Sequence, residues 1–141
     1  MQVFEIHVGG EPVAQGRPRF TSAGGFVKAY DPIKSREFKY VIQTLAREKM
    51  AGQERFNGAL CLYLTVTRVP PKSWAKYRRR EAMENHQGIQ GKPDLDNYIK
   101  IVLDALNGVV FADDACIVRI GASKRWSDSP GMYIRVVEDK V

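Results

Sequence analysis

The sequence has little of what builds disulfide frameworks or zinc sites. It contains only two cysteines and two histidines in 141 residues. Cys61 and Cys116 both stand inside apolar stretches, which favours buried, reduced thiols over a disulfide. The cysteines and histidines do not occur in the paired spacing of zinc ligands. We therefore expect the chain to be held together by an ordinary packed core.

Long apolar runs are also missing, and so are several catalytic signatures. No apolar run approaches the ~18 to 20 residues of a transmembrane helix. The first ten residues alternate in polarity and carry an acid, unlike a signal peptide. There is no glycine-rich phosphate loop, and no Ser or Cys stands in a recognisable nucleophile setting. These absences predict a cytoplasmic protein with no membrane partner.

Charge of one sign is in excess, and its distribution is uneven. Lys and Arg number 22 against 16 Asp and Glu, a net charge of +6, which favours an anionic partner such as nucleic acid. The stretch 68–80 has six basic residues and no acid, and without it 22 − 6 = 16 basic residues balance the 16 acids. The candidate DNA-binding residues of this stretch are Lys72, Lys76, Arg78, Arg79 and Arg80.

Hydrophobic periodicity predicts a single domain over 1–141 with strands and helices in loose alternation. The fold class we expect is α+β with α/β-like layers, a small mixed β-sheet packed against helices. The predicted elements are a strand at Phe4–Val8, a helix from a cap at Asp31 and Pro32 to Gly52, a strand at Leu60–Thr67, a helix at Ser73–Met83, a helix at Asp96–Asn107 closed by Gly108, and a C-terminal hairpin of Cys116–Trp126 with Met132–Val137.

A glycine- and proline-containing loop at about 9–30 separates the first strand from the first helix. It carries Arg17, Arg19 and Lys28 with few acids nearby to pair with them. One interpretation is a solvated surface loop. The other is a flexible basic arm that lies on a phosphate backbone. The composition of the loop leaves both interpretations open.

The segment 91–114 reverses the sign of the charge. Its five acids are Asp94, Asp96, Asp104, Asp113 and Asp114, against Lys92 and Lys100. On the predicted helix, a core-facing stripe consists of Ile99, Val102, Leu103 and Leu106. Ordinary roles account for each acid: Asp96 as a helix cap, Asp94 at the helix dipole, Asp104 paired with Lys100, and the last two in a turn.

Metal chemistry is the alternative interpretation of these acids. Mg²⁺ takes one or two carboxylates, together with waters and substrate phosphate oxygens. Two such ions about 4 Å apart can bind the attacking and leaving oxygens of a phosphodiester displacement. A calcium-binding EF-hand loop is excluded, because Ile99 and Ala105 stand where it requires Gly and Glu.

The order and spacing of these residues resemble the signature of the RusA family of Holliday junction resolvases. The similar residues are Lys92-Pro93-Asp94-Leu95-Asp96-Asn97, Lys100, Asp104-Ala105-Leu106-Asn107-Gly108 and Asp113-Asp114, about a sixth of the chain. Supporting resemblance lies in Pro12-Val13-Ala14-Gln15-Gly16-Arg17-Pro18-Arg19. One departure is Cys116, which stands where the family often has Gln.

The resemblance implies a RusA-like fold and a homodimeric, Mg²⁺-dependent endonuclease, with Mn²⁺ as a substitute, that nicks four-way DNA junctions in pairs. It implies that Asp94, Asp96 and Asp114 bind the metal and are catalytic, with Asp113 as an additional candidate ligand. Lys100 corresponds to the essential lysine of the family. Members are commonly encoded by prophages, which implies the cytoplasm of a bacterium or of a phage-infected cell. Arg17, Arg19 and Lys92 join the basic stretch as candidate DNA-binding residues.

Two other functions remain open at this point. The chain could be a basic junction- or RNA-binding protein without catalysis, whose acids only cap and pair. It could also be a metal-dependent nuclease that acts on other branched DNA, such as flaps or replication forks. A structural protein that only oligomerises does not account for the unpaired basic stretch.

Overall fold

A computed structural model describes residues 2–140 and confirms the α+β class. The strands are β1 (Val3–Gly9), β2 (Arg19–Thr21), β3 (Lys28–Tyr30), β4 (Leu60–Arg68), β5 (Ile117–Trp126) and β6 (Gly131–Glu138), and the helices are α1 (Ile33–Met50), α2 (Lys76–Glu84) and α3 (Leu95–Leu106). Four strands form a mixed sheet in the order β1-β6-β4-β5, and β2 pairs with β3. Within residues 2–140, no helix is long and apolar enough to cross a membrane.

The core lies between one face of the sheet and the helices α1 and α3. β4 directs Leu60, Leu62, Leu64 and Val66 into this core, as its alternating sequence predicts. Ile42 and Ala46 of α1 pack against the same cluster. A second, smaller cluster joins α2 to the end of β5 and consists of Ala82, Ile89 and Trp126, with Trp74 packed beside them.

The core-facing stripe predicted for α3 is partly wrong. Val102 and Leu106 are fully buried, but the rest of the buried face is formed by Tyr98, Ile101 and Ala105. Ile99 and Leu103, which were expected in the stripe, are only partly buried at its margin. The buried face is wider than one stripe because α3 contacts both α1 and the sheet strand β5.

The predicted C-terminal hairpin is also wrong. β4 lies between β5 and β6, and it pairs parallel with β5 and antiparallel with β6. The short link after Trp126 therefore crosses the end of β4, where Ser127 N–H donates to the carbonyl of Arg68 (2.9 Å) and the Thr67 hydroxyl to that of Ser129 (2.9 Å). Both strands were identified correctly, but their proximity in sequence did not determine their pairing.

The three predicted helix starts each differ slightly from the structure. α1 begins at Ile33 with Pro32 at the N-cap, and Asp31 forms an ion pair with Lys39 (3.0 Å) instead of capping. α2 has Ala75 at its N-cap, so Ser73 does not cap it.

The N-cap residue of α3 is Asp94 and not Asp96, which lies in the first turn. The side chain of Asp94 makes no capping hydrogen bond, and its carboxylate accepts a hydrogen bond from Lys92 (2.9 Å).

The stretch at about 9–30 has more structure than the loop that was predicted there. Its second half forms the hairpin of β2 and β3 around a short 3₁₀ turn, Ala23–Gly25. Its first half is anchored to two helices, since Gln15 N–H donates to the carbonyl of Asn97 (3.0 Å) and Gly16 N–H to the hydroxyl of Ser35 (2.9 Å). The flexibility expected of this stretch stays a prediction.

The buried hydroxyl group of Tyr98 allows the packing of α3 to be tested. Its side chain is 0% exposed, and no described residue forms a hydrogen bond with its hydroxyl group. Burial raises the pKa of this phenol. A buried, unpaired hydroxyl group costs about 1–3 kcal/mol of desolvation.

We expect Tyr98→Phe to leave the free energy of unfolding in urea unchanged or to raise it. Ile101→Ala, at a neighbouring buried position of α3, should instead lower it by about 2–5 kcal/mol. A loss of stability in Tyr98→Phe comparable to that of Ile101→Ala would contradict this account of the hydroxyl group.

Candidate functional site

The carboxyl ends of the parallel strands β4 and β5 lie beside the start of α3. Arg68 is paired with Trp126 at this edge of the sheet. The ammonium group of Lys124, near the end of β5, donates to the carbonyl oxygens of Gly91 and Pro93. These bonds fix the lead-in to α3, and with it Asp94, at the carboxyl edge of the two strands. In open α/β sheets this edge is where ligands bind.

A cleft of about 540 Å³ opens at this edge. One wall is the segment 11–17, and the other is formed by residues 92–94 and the first turn of α3. The first wall packs closely against the start of α1 at Gly16, because a Cβ atom there would lie 2.8 Å from Cγ of Pro32. The position therefore requires glycine, and the segment 11–17 is held against the helices.

Asp94, Asp96 and Lys100 come together at the start of α3. Asp94 lines the cleft and forms an ion pair with Lys92 (2.9 Å), in which the two side chains are 48% and 84% exposed. Asp96 and Lys100 are both exposed, and neither forms a salt bridge with another residue of the described chain. The side chains of Asp96 and Lys100 are four residues apart, so they lie on the same side of the helix.

Asp113 and Asp114 lie at the other end of α3. The helix has 12 residues and is therefore about 18 Å long, and the chain turns tightly after it before it reaches the two acids. Asp113 accepts a hydrogen bond from Ala115 N–H (3.2 Å) and caps the 3₁₀ turn Asp114–Cys116. Sequence proximity to the motif thus did not bring these acids to Asp94 and Asp96.

Two of the proposed carboxylate ligands, but not all three, fit a divalent ion within one protomer. Among residues 2–140, no group of three or more His, Cys, Asp or Glu side chains is placed to hold a metal. Asp94 supplies a half-exposed carboxylate that lines the cleft, and Asp96 supplies an exposed one two residues further on, in the first turn of α3. This donor set suits Mg²⁺, which takes one or two carboxylates with waters and phosphate oxygens.

Asp104 contributes to packing between helices. Its carboxylate lies 3.7 Å from the ammonium group of Lys39, which also contacts Asp31. The pair expected within α3, between Lys100 and Asp104, is thus replaced by a bridge to α1.

Cys116 follows the two acids in the 3₁₀ turn and is partly buried. Burial raises the pKa of its thiol, and the carboxylates of Asp113 and Asp114 raise it further.

The basic residues of α2 are exposed, with one exception. Lys76, Arg78 and Arg80 are exposed, whereas Arg79 is partly buried and its Nε atom has no partner among the described residues. The guanidinium group of Arg78 lies 3.6 Å above the ring of Trp74, which in turn contacts Trp126 edge-on at 5.2 Å. Trp74 therefore packs in the second cluster and is not free to stack on a base.

Two of the other candidate DNA-binding residues line the cleft, namely Arg17 and Lys92, and both are exposed. Arg19 is exposed on β2, and Lys72 is exposed in the connection between β4 and α2. The cleft that contains Asp94 thus also presents two cations that can bind phosphates.

Several cleft residues were not identified from the sequence. Arg68 lines the cleft and forms an ion pair with Glu11 (2.8 Å). Gln15, Asn97 and Tyr98 line it as well, and Gln15 Oε1 is buried without a partner among the described residues. Gln15 and Asn97 lie inside the two segments on which the family resemblance depends. Arg68 opens the basic stretch 68–80, but nothing in the local sequence indicates that it or Tyr98 lies in the cleft, which both reach only through the tertiary fold.

Comparison with known proteins identifies the family of this chain. A family model described as "Endodeoxyribonuclease RusA" matches residues 9–137. A protein of Bacillus subtilis (strain 168), named YqaN and described as uncharacterized, is 35% identical over 140 residues, covering 98% of each chain. The matched range includes the cleft, the acids at both ends of α3 and the basic helix α2. The resemblance noted in the motif is thereby confirmed, and the chain belongs to the RusA family of Holliday junction-resolving endodeoxyribonucleases.

Proposed function

We propose that this protein is a Mg²⁺-dependent, homodimeric endonuclease that resolves four-way DNA junctions in recombination and repair by paired phosphodiester hydrolysis. It would act in the cytoplasm of a bacterium or of a phage-infected cell, and a prophage origin fits the family. Mn²⁺ would substitute for Mg²⁺. The observation that carries the proposal is the placement of Asp94 at the carboxyl edge of β4 and β5, in a cleft that Arg17 and Lys92 also line, with Asp96 in the adjoining first turn of α3.

Each residue at the start of α3 has a role in this proposal. Asp94 and Asp96 hold the divalent ion, which supplies a water of lowered pKa and offsets charge at the phosphate. Lys100 places its ammonium group where it stabilises the negative charge that builds on the phosphate oxygens. Lys92, released from its exposed pair with Asp94, binds a neighbouring phosphate. An exposed ion pair contributes at most about 1 kcal/mol of stabilisation, so exchanging Asp94 for a phosphate costs Lys92 little free energy.

Cleavage of a synthetic four-way junction tests the proposal. We expect the wild-type protein to nick the junction only with Mg²⁺ or Mn²⁺, and Asp96→Asn to bind the junction but lose at least 10²-fold in the rate of cleavage. Asp128→Asn, which changes an exposed carboxylate in the β5–β6 link, is the matched control and should cleave as the wild type does. A wild-type protein that binds the junction without nicking it would overturn the nuclease proposal, and equal cleavage of linear duplex would overturn the resolvase.

Because α3 separates Asp94 and Asp96 from Asp113 and Asp114, a metal site that includes acids from both ends of the helix requires a dimer of a particular form. If Asp114, and Asp113 with it, takes part in metal binding, it must do so beside Asp94 and Asp96 of the partner subunit. The edge strand β5 allows this arrangement, because its residues 117–123 have no neighbouring strand on their outer side among the described residues. Two such edges can pair antiparallel about a twofold axis.

Charge and apolar exposure support this pairing. The start of β5 is acidic at Asp113 and Asp114, and its end is basic at Lys124 and Arg125. Antiparallel pairing places each acidic end against the basic end of the partner strand. Of the apolar residues in the strand, Val118 is 58% exposed and Ile120 is 42% exposed, so the pairing also covers exposed apolar surface.

Mixed dimers test the shared site. We expect Asp96→Asn and Asp114→Asn homodimers to be inactive. Their co-expressed heterodimers should nick the junction, because one of the two sites keeps all of its carboxylates. In a random mixture about a quarter of the sites are intact.

Co-expression of Asp94→Asn with Asp96→Asn is the control, since both changes lie in the same half of a site and no intact site forms. If the Asp96→Asn and Asp114→Asn mixture stays inactive although heterodimers are isolated through two affinity tags, the shared site is wrong.

The basic helix α2 gives a test of DNA binding. We expect Arg80→Ala and Arg78→Ala each to weaken junction binding and to reduce the slope of log K against log salt by about one for each phosphate that the variant no longer neutralises. Arg78→Ala should also lower stability by about 0.5–1 kcal/mol, since it removes the cation–π interaction with Trp74.

Lys49→Ala, at an exposed position in the last turn of α1, is the matched control for the loss of one positive charge. If it changes the salt slope as much as Arg80→Ala does, the net charge and not the surface of α2 determines the binding.

A further inference from the structure

The hairpin of β2 and β3 carries large apolar side chains that nothing in the described chain covers. Phe20 is 69% exposed, Phe26 73% and Val27 74%. Exposed apolar residues scattered singly are normal in proteins, but a group of this size on one short element marks an interaction surface. The proposed function uses Arg19 of this hairpin for DNA binding, but it gives these apolar side chains no role.

The two faces of the hairpin differ in chemistry. Phe20 lies opposite Ala29 in the pairing, so both side chains project from one face. Arg19 and Lys28 project from the other face. Between residues 12 and 30 the sequence has three basic residues and no acid. Phe20 thus projects from the face opposite to Arg19 and Lys28, and Phe26 and Val27 lie in the link just before β3. The hairpin therefore presents both exposed aromatic and cationic side chains, which suits a partner with an anionic backbone and flat apolar groups.

The hairpin begins next to the candidate nuclease site. Gln15 and Gly16 are fixed by hydrogen bonds to the first turn of α3 and to α1. Only Arg17 and Pro18 separate this anchor from β2. The Phe side chains are therefore carried by an element whose base forms a wall of the cleft beside Asp94.

We propose that this hairpin is a DNA wedge, which inserts Phe20 and Phe26 between bases at the branch point of the junction. Arg17, Arg19 and Lys28 hold the flanking phosphates. This inference rests on the proposed action on branched DNA. Apolar side chains inserted between base steps unstack and bend DNA, and unstacking is least costly where bases are already unpaired or distorted. A branch point is such a place, and the anchor at Gly16 then directs the adjoining strand toward Asp94.

The test uses a four-way junction with 2-aminopurine at the branch point, whose fluorescence rises when the base loses its stacking. We expect full-length Asp96→Asn protein, without added metal, to raise this fluorescence on binding. A second substitution in the Asp96→Asn protein, either Phe20→Ala or Phe26→Ala, should remove at least half of the fluorescence rise. It should also weaken junction binding by roughly tenfold, with little change in binding to linear duplex. Tyr40→Ala, at an exposed aromatic residue of α1, is the matched control and should change neither quantity.

Three other outcomes would each overturn the wedge proposal. They also show whether the proposed function fails together with it. If Asp96→Asn binds the junction tightly but the fluorescence does not rise, the wedge is wrong and the nuclease proposal stands. If Phe20→Ala changes the oligomeric state measured by light scattering and leaves the fluorescence rise intact, the apolar face is an interface between copies of this chain. If the protein binds no junction, action on branched DNA and the wedge both fail. Unchanged circular dichroism of the two Phe variants establishes that they fold.

Discussion

The parallel pairing of β4 with β5 is the constraint on which the arrangement of the site depends. Parallel neighbours cannot be joined by a short hairpin, so the chain must return from the end of β4 to the start of β5. α2, the segment that holds Gly91 and Pro93, and α3 make this return. The carboxylates at the start of α3 therefore lie at the carboxyl edge of both strands, and the acids after α3 lie at the opposite edge.

Local patterns predicted the elements of this fold well. The alternation in β4 and the apolar spacing in α1 and α3 each depend on neighbours within a few residues, and all three elements form where they were expected. Strand pairing depends on the whole chain. The sequence between β5 and β6 resembles an ordinary hairpin link, and nothing local indicates that β4 lies between them. The helix starts also depend on more than local sequence, since Asp31 forms an ion pair with Lys39 of α1 instead of capping the helix, and the N-cap of α3 is Asp94 instead of Asp96.

The motif identified the acids and lysine at the start of α3, but it did not show how the site is distributed in space. A 12-residue helix about 18 Å long lies between Asp94 and the 3₁₀ turn at Asp114, and β5, which follows this turn, starts beside the start of β4. Gln15 and Asn97 lie within recognisable segments, whereas Arg68 comes from the end of a strand and Tyr98 from a buried helix face. Only tertiary structure brings these four to one cleft, so no spacing rule identifies them together.

The fold also determines which of the excess basic residues are available to bind a polyanion. The basic stretch 68–80 is divided by the fold, because Arg68 lines the cleft and pairs with Glu11, Arg78 stacks on Trp74, and Arg79 is partly buried. Arg78 stays exposed while it stacks on Trp74 and can still bind a phosphate, whereas Arg68 and Arg79 are not free to do so. The cations that can bind a polyanion are thus fewer than the composition suggests. A phosphate backbone that lies in the cleft beside Arg17 and Lys92 also approaches the carboxylate of Asp94, whose negative charge would repel it unless a cation were bound between them.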